Sequence, residues 1–142
     1  MIAEISHACL LMRTRLISRE ITSIYDKHLR GHDISSAQFA LLVAIYQAQP
    51  ATRATIGRHQ HLDRSTLTRH LKAILSEGWA EESRHGADGR SRPILLTKSG
   101  TDLLRKAEAA WWAAQADAKD LLGKNGSIAV MEIANRIFET IE

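Results

Sequence analysis

The chain has 142 residues, enough for one domain with a real hydrophobic core. Hydrophobic residues make up 44% and charged residues 25%, the balance of an ordinary globular protein, which excludes a disordered tail or a fibrous repeat. The net charge of +3 is small but uneven: residues 53–98 hold nine Lys/Arg against five Asp/Glu, whereas residues 99–142 hold five against seven.

The N-terminal stretch MIAEISHACLLMRTR acquires Glu4 early and arginines just after its apolar cluster, so it lacks the order of a secretory signal. No segment approaches the roughly 18 unbroken apolar residues of a membrane span. Cys9 is the single cysteine and forms no internal disulfide, in keeping with a reducing compartment. A cytoplasmic protein without membrane contact is expected.

From Glu4 to about Arg30 apolar residues recur at helical spacing on two faces: Ile5, Cys9, Met12 and Leu16 on one, Leu10, Ile17, Ile21 and Ile24 on the other. One continuous helix needing two packing partners is predicted. Residues 31–35 break it, and Ser35 or Ser36 caps a second helix that carries Phe39, Leu42, Val43 and Tyr46 and ends before Pro50. A short helix follows from about Arg53 to His61, with Ile56 as its apolar anchor.

The run LDRSTLTRHLKAILSEG is the clearest amphipathic helix of the chain. Asp63 is its N-cap, Leu67, Leu71, Ile74 and Leu75 form its buried line, and Gly78 stops it. Its other side shows Arg64, Ser65, Thr66, Thr68, Arg69 and Lys72. Next, WAEESRH and RPILLT read as two strands joined by a turn over residues 86–91, with Pro93 confining the second to an edge or to its first residue. Thr97 or Ser99 caps a helix from about Gly100 to Leu122, residues 123–127 read as a loop, and Ile128–Ile141 form a last helix with Val130, Ile133, Ala134 and Ile137 on its apolar side. Trp111 and Trp112 suit either the core of the chain or a contact with a second copy.

The fold class expected from this order is mainly α with a small two- or three-stranded β wing: a winged helix-turn-helix core with extra helices at both ends. In such a unit the second helix of the motif enters the major groove. Ser and Thr let it approach closely, Arg69 can fork onto guanine O6 and N7, and Lys72 offers a point charge to phosphate. Arg90 at the turn has the reach for a minor groove, Asp88 braces its guanidinium, and Arg92 meets phosphate. The plain alternative for these residues is a solvated helix face and a charged turn.

The stretch from Leu62 to Gly100 also resembles the MarR family of bacterial transcription regulators. Leu62, Asp63, Ser65, Thr66, Leu67 and Leu71 match its L-D-x-S-T-L-x-x-x-L recognition helix. Asp88 and Arg90 match its D-x-R wing, and Leu96, Thr97 and Gly100 match its L-T-x-x-G close, with Ile94 two residues before Leu96. The resemblance implies a homodimer formed by residues 1–33 and 99–142 around a DNA-binding lobe of residues 34–98, one domain over 1–142. It also implies a pseudo-palindromic double-stranded operator, repression, and release by a small lipophilic or phenolic effector.

Some members of that family instead respond to oxidation of a cysteine on the first helix, which makes Cys9, Arg13 and Tyr25 candidate effector or redox residues. Set against the organic hydroperoxide sensors of the family, SREITSIY places Leu11 where their peroxidatic cysteine stands. Cys9 is two residues earlier, about 200° around a helix. Ser36 stands at the place of one of their two tyrosines, and Tyr25 fits the other. A free cysteine is otherwise a small hydrophobe, and Arg13 otherwise faces solvent.

Among other classes, His59 and His61 point to different sides of a helix and no clustered ligands complete a zinc site, so no metal is expected. The absence of G-x-S-x-G, H-E-x-x-H, Walker-type and G-x-G-x-x-G motifs argues against an enzyme and against a bound cofactor. A winged helix used for protein contact is the remaining alternative. It calls for an apolar or acidic recognition face, which Arg69, Lys72 and Arg90 do not offer.

Overall fold

The computed structural model describes residues 1–84 and 92–140. In chain order these form α1 (Ile2–Ala8), α2 (Leu10–Leu29), a single 3-10 turn (Arg30–His32), α3 (Ser36–Ala48), α4 (Arg53–Gln60), α5 (Arg64–Ser76), β1 (Ala80–Glu82), β2 (Ile94–Leu96) and α6 (Lys98–Glu139). The predicted turn over residues 86–91, with Asp88 and Arg90, lies outside the described residues.

The core gathers one face from each central element: Leu29 of α2, Leu41, Leu42 and Ile45 of α3, Ile56 of α4, Leu67, Leu71 and Ile74 of α5, Ile94 of β2 and Ala107 of α6. α3 is apolar nearly all round and is buried from several sides, as such a helix must be. Its core face is Leu41, Leu42 and Ile45. The residues expected on its apolar line divide: Leu42 is in the core, Phe39 and Val43 turn toward a cavity, and Tyr46 is exposed.

β1 and β2 pair antiparallel, with Ala80 opposite Leu96 and Glu82 opposite Ile94. Ala51 adds an isolated bridge to Ile94, a one-residue third strand, through bonds of 3.2 and 2.8 Å. Strand β2 begins one residue after Pro93, which donates nothing to the ladder but accepts from the Ser83 N–H at 2.7 Å. β1 is shorter than the expected strand. Past Glu82 the Ser83 N–H still bonds across to Pro93.

Where α6 leaves the wing, three groups lock the junction. Thr97 caps the helix by accepting from the Gly100 N–H at 3.1 Å, and its hydroxyl donates to the Gly78 carbonyl at 2.6 Å. A Cβ at Gly100 would lie 2.0 Å from the Trp79 carbonyl oxygen, so this position admits only glycine.

Two expectations are corrected. The first helix is not continuous: at Cys9 the backbone is extended (φ −73°, ψ 113°), ending α1 and beginning α2. The break deprives the His7 carbonyl of its partner one turn ahead, and the Arg13 guanidinium replaces it at 3.0 Å. The loop expected at residues 123–127 contracts to one residue. Gly123 alone leaves the helical basin (φ 71°, ψ 172°), and Lys124 already begins the next helical run. Positive φ at one glycine bends the chain without a longer loop.

α2 and α6 pack against each other. Ala107, Ala114 and Ala118, spaced along one side of α6, are buried and small enough for close approach. Tyr25 donates to Gln115 Oε1, and His28 pairs with Asp117 at 2.7 Å. The two Trp rings meet edge to face at 4.7 Å; Trp111 is half-buried and Trp112 is exposed.

Candidate nucleic-acid interface

α4, a tight turn and α5 form a helix-turn-helix. Thr52 caps α4 by accepting from the Thr55 N–H. The helix ends at His61, whose left-handed backbone (φ 50°) lets its N–H reach Arg58 and the Leu62 N–H reach Gly57. Gly57 also permits the two helices to approach, since a Cβ there would lie 3.3 Å from Leu67.

Asp63 then caps α5. Its carboxylate accepts from the Thr66 N–H at 2.7 Å and from Ser65 Oγ at 3.0 Å. The backbone bond from Thr66, followed by the hydroxyls of Thr66 and Ser65, holds its pKa below the usual carboxylate range. Its negative charge is turned to the helix N-terminus, where the macrodipole favours it.

With Leu67, Leu71 and Ile74 buried, the opposite side of α5 faces outward. Asp63, Arg64, Ser65, Thr68, Arg69 and Lys72 line one shallow concave surface there. The structure thus brings together five of the six residues expected on this helix. The sixth, Thr66, lies on the flank, half-buried and bonded to Asp63.

Arg64 and Thr68 also border a groove of about 650 Å³ that runs between α4, α5 and the base of the wing. Arg92, just before Pro93, also lines this groove. Arg53 and Arg58 of α4 line it as well, and Arg53 pairs with Glu82 of β1. These two arginines were not singled out from the sequence. The signal was present: Arg53 and Arg58 bracket the one apolar anchor of the short helix, Ile56, with the small residues Ala54 and Gly57 between them.

A second feature lies between α2, α3 and α6. A mainly apolar cavity of about 590 Å³ is lined by Ile21, Tyr25, Phe39, Val43 and Trp111, with Ser36 at its edge. Burial raises the Tyr25 phenol above its ordinary pKa. Cys9, half-buried at the α1–α2 break, and Arg13, exposed and bonded to His7, do not line it. Among the described residues no group of His, Cys, Asp and Glu is placed to hold a metal ion. Nor is any helix among them long and apolar enough to cross a membrane.

The sequence profile of the MarR family matches residues 34–91. The transcriptional regulator SarZ of Staphylococcus haemolyticus is 31% identical over 86 residues, 61% of this chain and 58% of its own length. The organic hydroperoxide resistance transcriptional regulator of Bacillus subtilis is 33% identical over 90 residues, 63% of this chain and 61% of its length. The chain thus spans about three fifths of the curated relatives it matches. Among solved structures, the Mycobacterium tuberculosis transcriptional regulator MosR, crystallised in complex with DNA, superposes with a TM-score of 0.78 and 29% identity over 93% of this chain and 96% of that one. The helix-turn-helix, the two-stranded wing, the packing of α2 on α6 and these matches agree: the chain belongs to the MarR family of winged helix-turn-helix transcriptional regulators.

Proposed function

We propose that the protein is a homodimeric repressor that binds a pseudo-palindromic operator in double-stranded DNA and is released by a small lipophilic or phenolic ligand. The observation that carries this reading is the single outward face of α5. Arg64, Ser65, Thr68, Arg69 and Lys72 stand on it, and it is continuous through the groove with Arg92, Arg53 and Arg58. Four cations border the groove against one carboxylate, Glu82, which is already paired with Arg53. That is the electrostatic footprint of a polyanion site. MosR, similar over nearly the whole chain, was crystallised on DNA.

Residues 1–33 and 99–142 are the dimerisation helices and residues 34–98 the DNA-binding lobe in this reading. Residues of α1, of the first half of α2 and of the end of α6 leave large apolar side chains uncovered in one chain, which suits a second copy. In this reading Arg90 contacts the minor groove and Asp88 braces it. The Tyr25–Trp111 cavity, apolar with a few polar groups, is the place for the effector.

The test is a gel shift of the protein against DNA from upstream of its own gene, at several salt concentrations. Binding that falls steeply with salt, and a salt slope reduced by about one in Lys72→Ala, support the reading. Arg90→Ala should weaken binding further. Salt-independent binding, or none to any duplex, rules it out.

A redox switch at Cys9 is the second reading. Cys9 is half-buried at the break between α1 and α2, and one relative is by name a regulator of organic hydroperoxide resistance. Peroxide that releases the wild type but not Cys9→Ser from DNA selects this reading. Equal release of both removes it.

A further inference from the structure

Two hydroxyl groups on the outward face of α5 have their protons committed elsewhere. Thr68 Oγ1 donates to the Arg64 carbonyl one turn back, at 2.8 Å. Ser65 Oγ donates to Asp63 Oδ1 at 3.0 Å. Both residues are exposed and both line the concave surface with Arg64, Arg69 and Lys72. What they offer an incoming partner is therefore an oxygen lone pair at Ser65 and a methyl group at Thr68, not two O–H donors. Their spacing of three residues makes them neighbours on the helix, with Cβ atoms about 5–6 Å apart.

The four base pairs differ in what they display in the major groove. Guanine shows two acceptors, N7 and O6, which would meet the Ser65 lone pair without a proton between them. Cytosine shows an amino donor but no methyl. Only an A·T pair presents an amino donor and a methyl group together, on adenine N6 and thymine C5. We propose that Ser65 and Thr68 form a reader for one A·T pair in each half-site, Ser65 accepting from the adenine amino group and Thr68 packing its methyl against the thymine methyl. This inference rests on the DNA-binding reading above and adds the identity of a base to it. Arg64 and Arg69 flank the pair and supply the donors that guanine or phosphate requires.

The experiment uses the full chain. A binding site is first selected from random duplexes, and each thymidine in it is then replaced in turn by deoxyuridine, which removes only the 5-methyl group. Wild-type affinity should fall about threefold to fivefold per half-site at one thymidine, the value of one buried methyl group. Thr68→Val, which keeps the methyl and loses the hydroxyl, should keep that discrimination. Thr68→Ser, which does the reverse, should bind the two duplexes alike. Circular dichroism checks that both variants fold. Binding with no deoxyuridine-sensitive position, or Thr68→Val and Thr68→Ser behaving alike, overturns the proposal while leaving the DNA-binding reading in place. Failure to select any duplex overturns both.

Discussion

At Gly100 the backbone of the wing touches the backbone of α6, with the Trp79 carbonyl oxygen occupying the space any Cβ would need. Backbone cannot rotate aside as a side chain can, so Gly100→Ala should destabilise the fold by about 3 kcal/mol or more, the upper range for forced overpacking. Thermal melts measure this, and a variant as stable as wild type would mean that the junction is looser than described. The opposite sign is expected at Ser127. Its hydroxyl is buried without a partner, because the carbonyl one turn back belongs to Gly123, whose ψ of 172° takes it off the helical path. Ser127→Ala should therefore raise stability by about 1 kcal/mol, the desolvation cost of one unpaired hydroxyl. Asp63 adds a pH dependence. Its folded pKa lies below the unfolded value of about 3.9, so its contribution is complete above that pH and is lost as pH falls through the folded value. Melts of wild type and Asp63→Asn should accordingly converge in acid and separate at neutral pH.

Individual elements were legible in the sequence wherever the local signals agreed. Asp63 as cap, the Leu67–Leu71–Ile74 line and the left-handed Gly78 define α5 within a residue, since capping, periodicity and stop all point the same way. Thr97, not Ser99, caps α6, and Ser35, not Ser36, caps α3 through a reciprocal capping box with Gln38. The break at Cys9 was not legible, because no glycine, proline or cap residue marks it. It depends on Arg13 reaching six residues back to His7, a contact that periodicity does not encode. The groove was half legible for a similar reason. Arg92 stood out by its place next to Pro93, whereas the partnership of Arg53 with Glu82 joins residues 29 apart in the chain. That ion pair ties α4 to β1 and so relates the helix-turn-helix to the wing. Glu82→Gln should leave overall stability within about 0.5 kcal/mol, as for most half-exposed pairs. Operator affinity should nevertheless fall if the pair aligns the wing, and a gel shift with Glu82→Gln beside Lys72→Ala separates lost alignment from lost charge. Glu82→Gln removes a negative charge, so simple electrostatics predicts tighter binding, and tighter binding would show that the pair aligns nothing.

For the whole molecule, the decisive quantity is the apolar surface that one chain leaves uncovered. Leu10, Leu16 and Ile17 on α2, and Ile133, Ile137 and Phe138 on α6, are each more than 40% exposed, and they sit on the ends of these helices that add nothing to the central core. A monomer rarely shows a contiguous apolar patch beyond a few hundred Å². Covering these side chains in an isologous dimer requires each copy to present the same patch, and helices at both ends of one chain can interlock with those of the other. Within the chain α2 and α6 are joined near Tyr25–Gln115 and His28–Asp117, and the uncovered segments lie beyond that junction, at the start of α2 and past the Gly123 bend of α6. Sedimentation should therefore find a dimer at micromolar concentration, and the melting temperature should rise with concentration as mass action demands. Ile137→Glu introduces two carboxylates, one from each copy, into the buried seam. It should shift the protein toward monomer and weaken operator binding about 100-fold or more, because two half-sites are then no longer engaged by one linked pair of recognition helices. Monomeric wild-type protein with full operator affinity would instead assign the uncovered faces to a different partner.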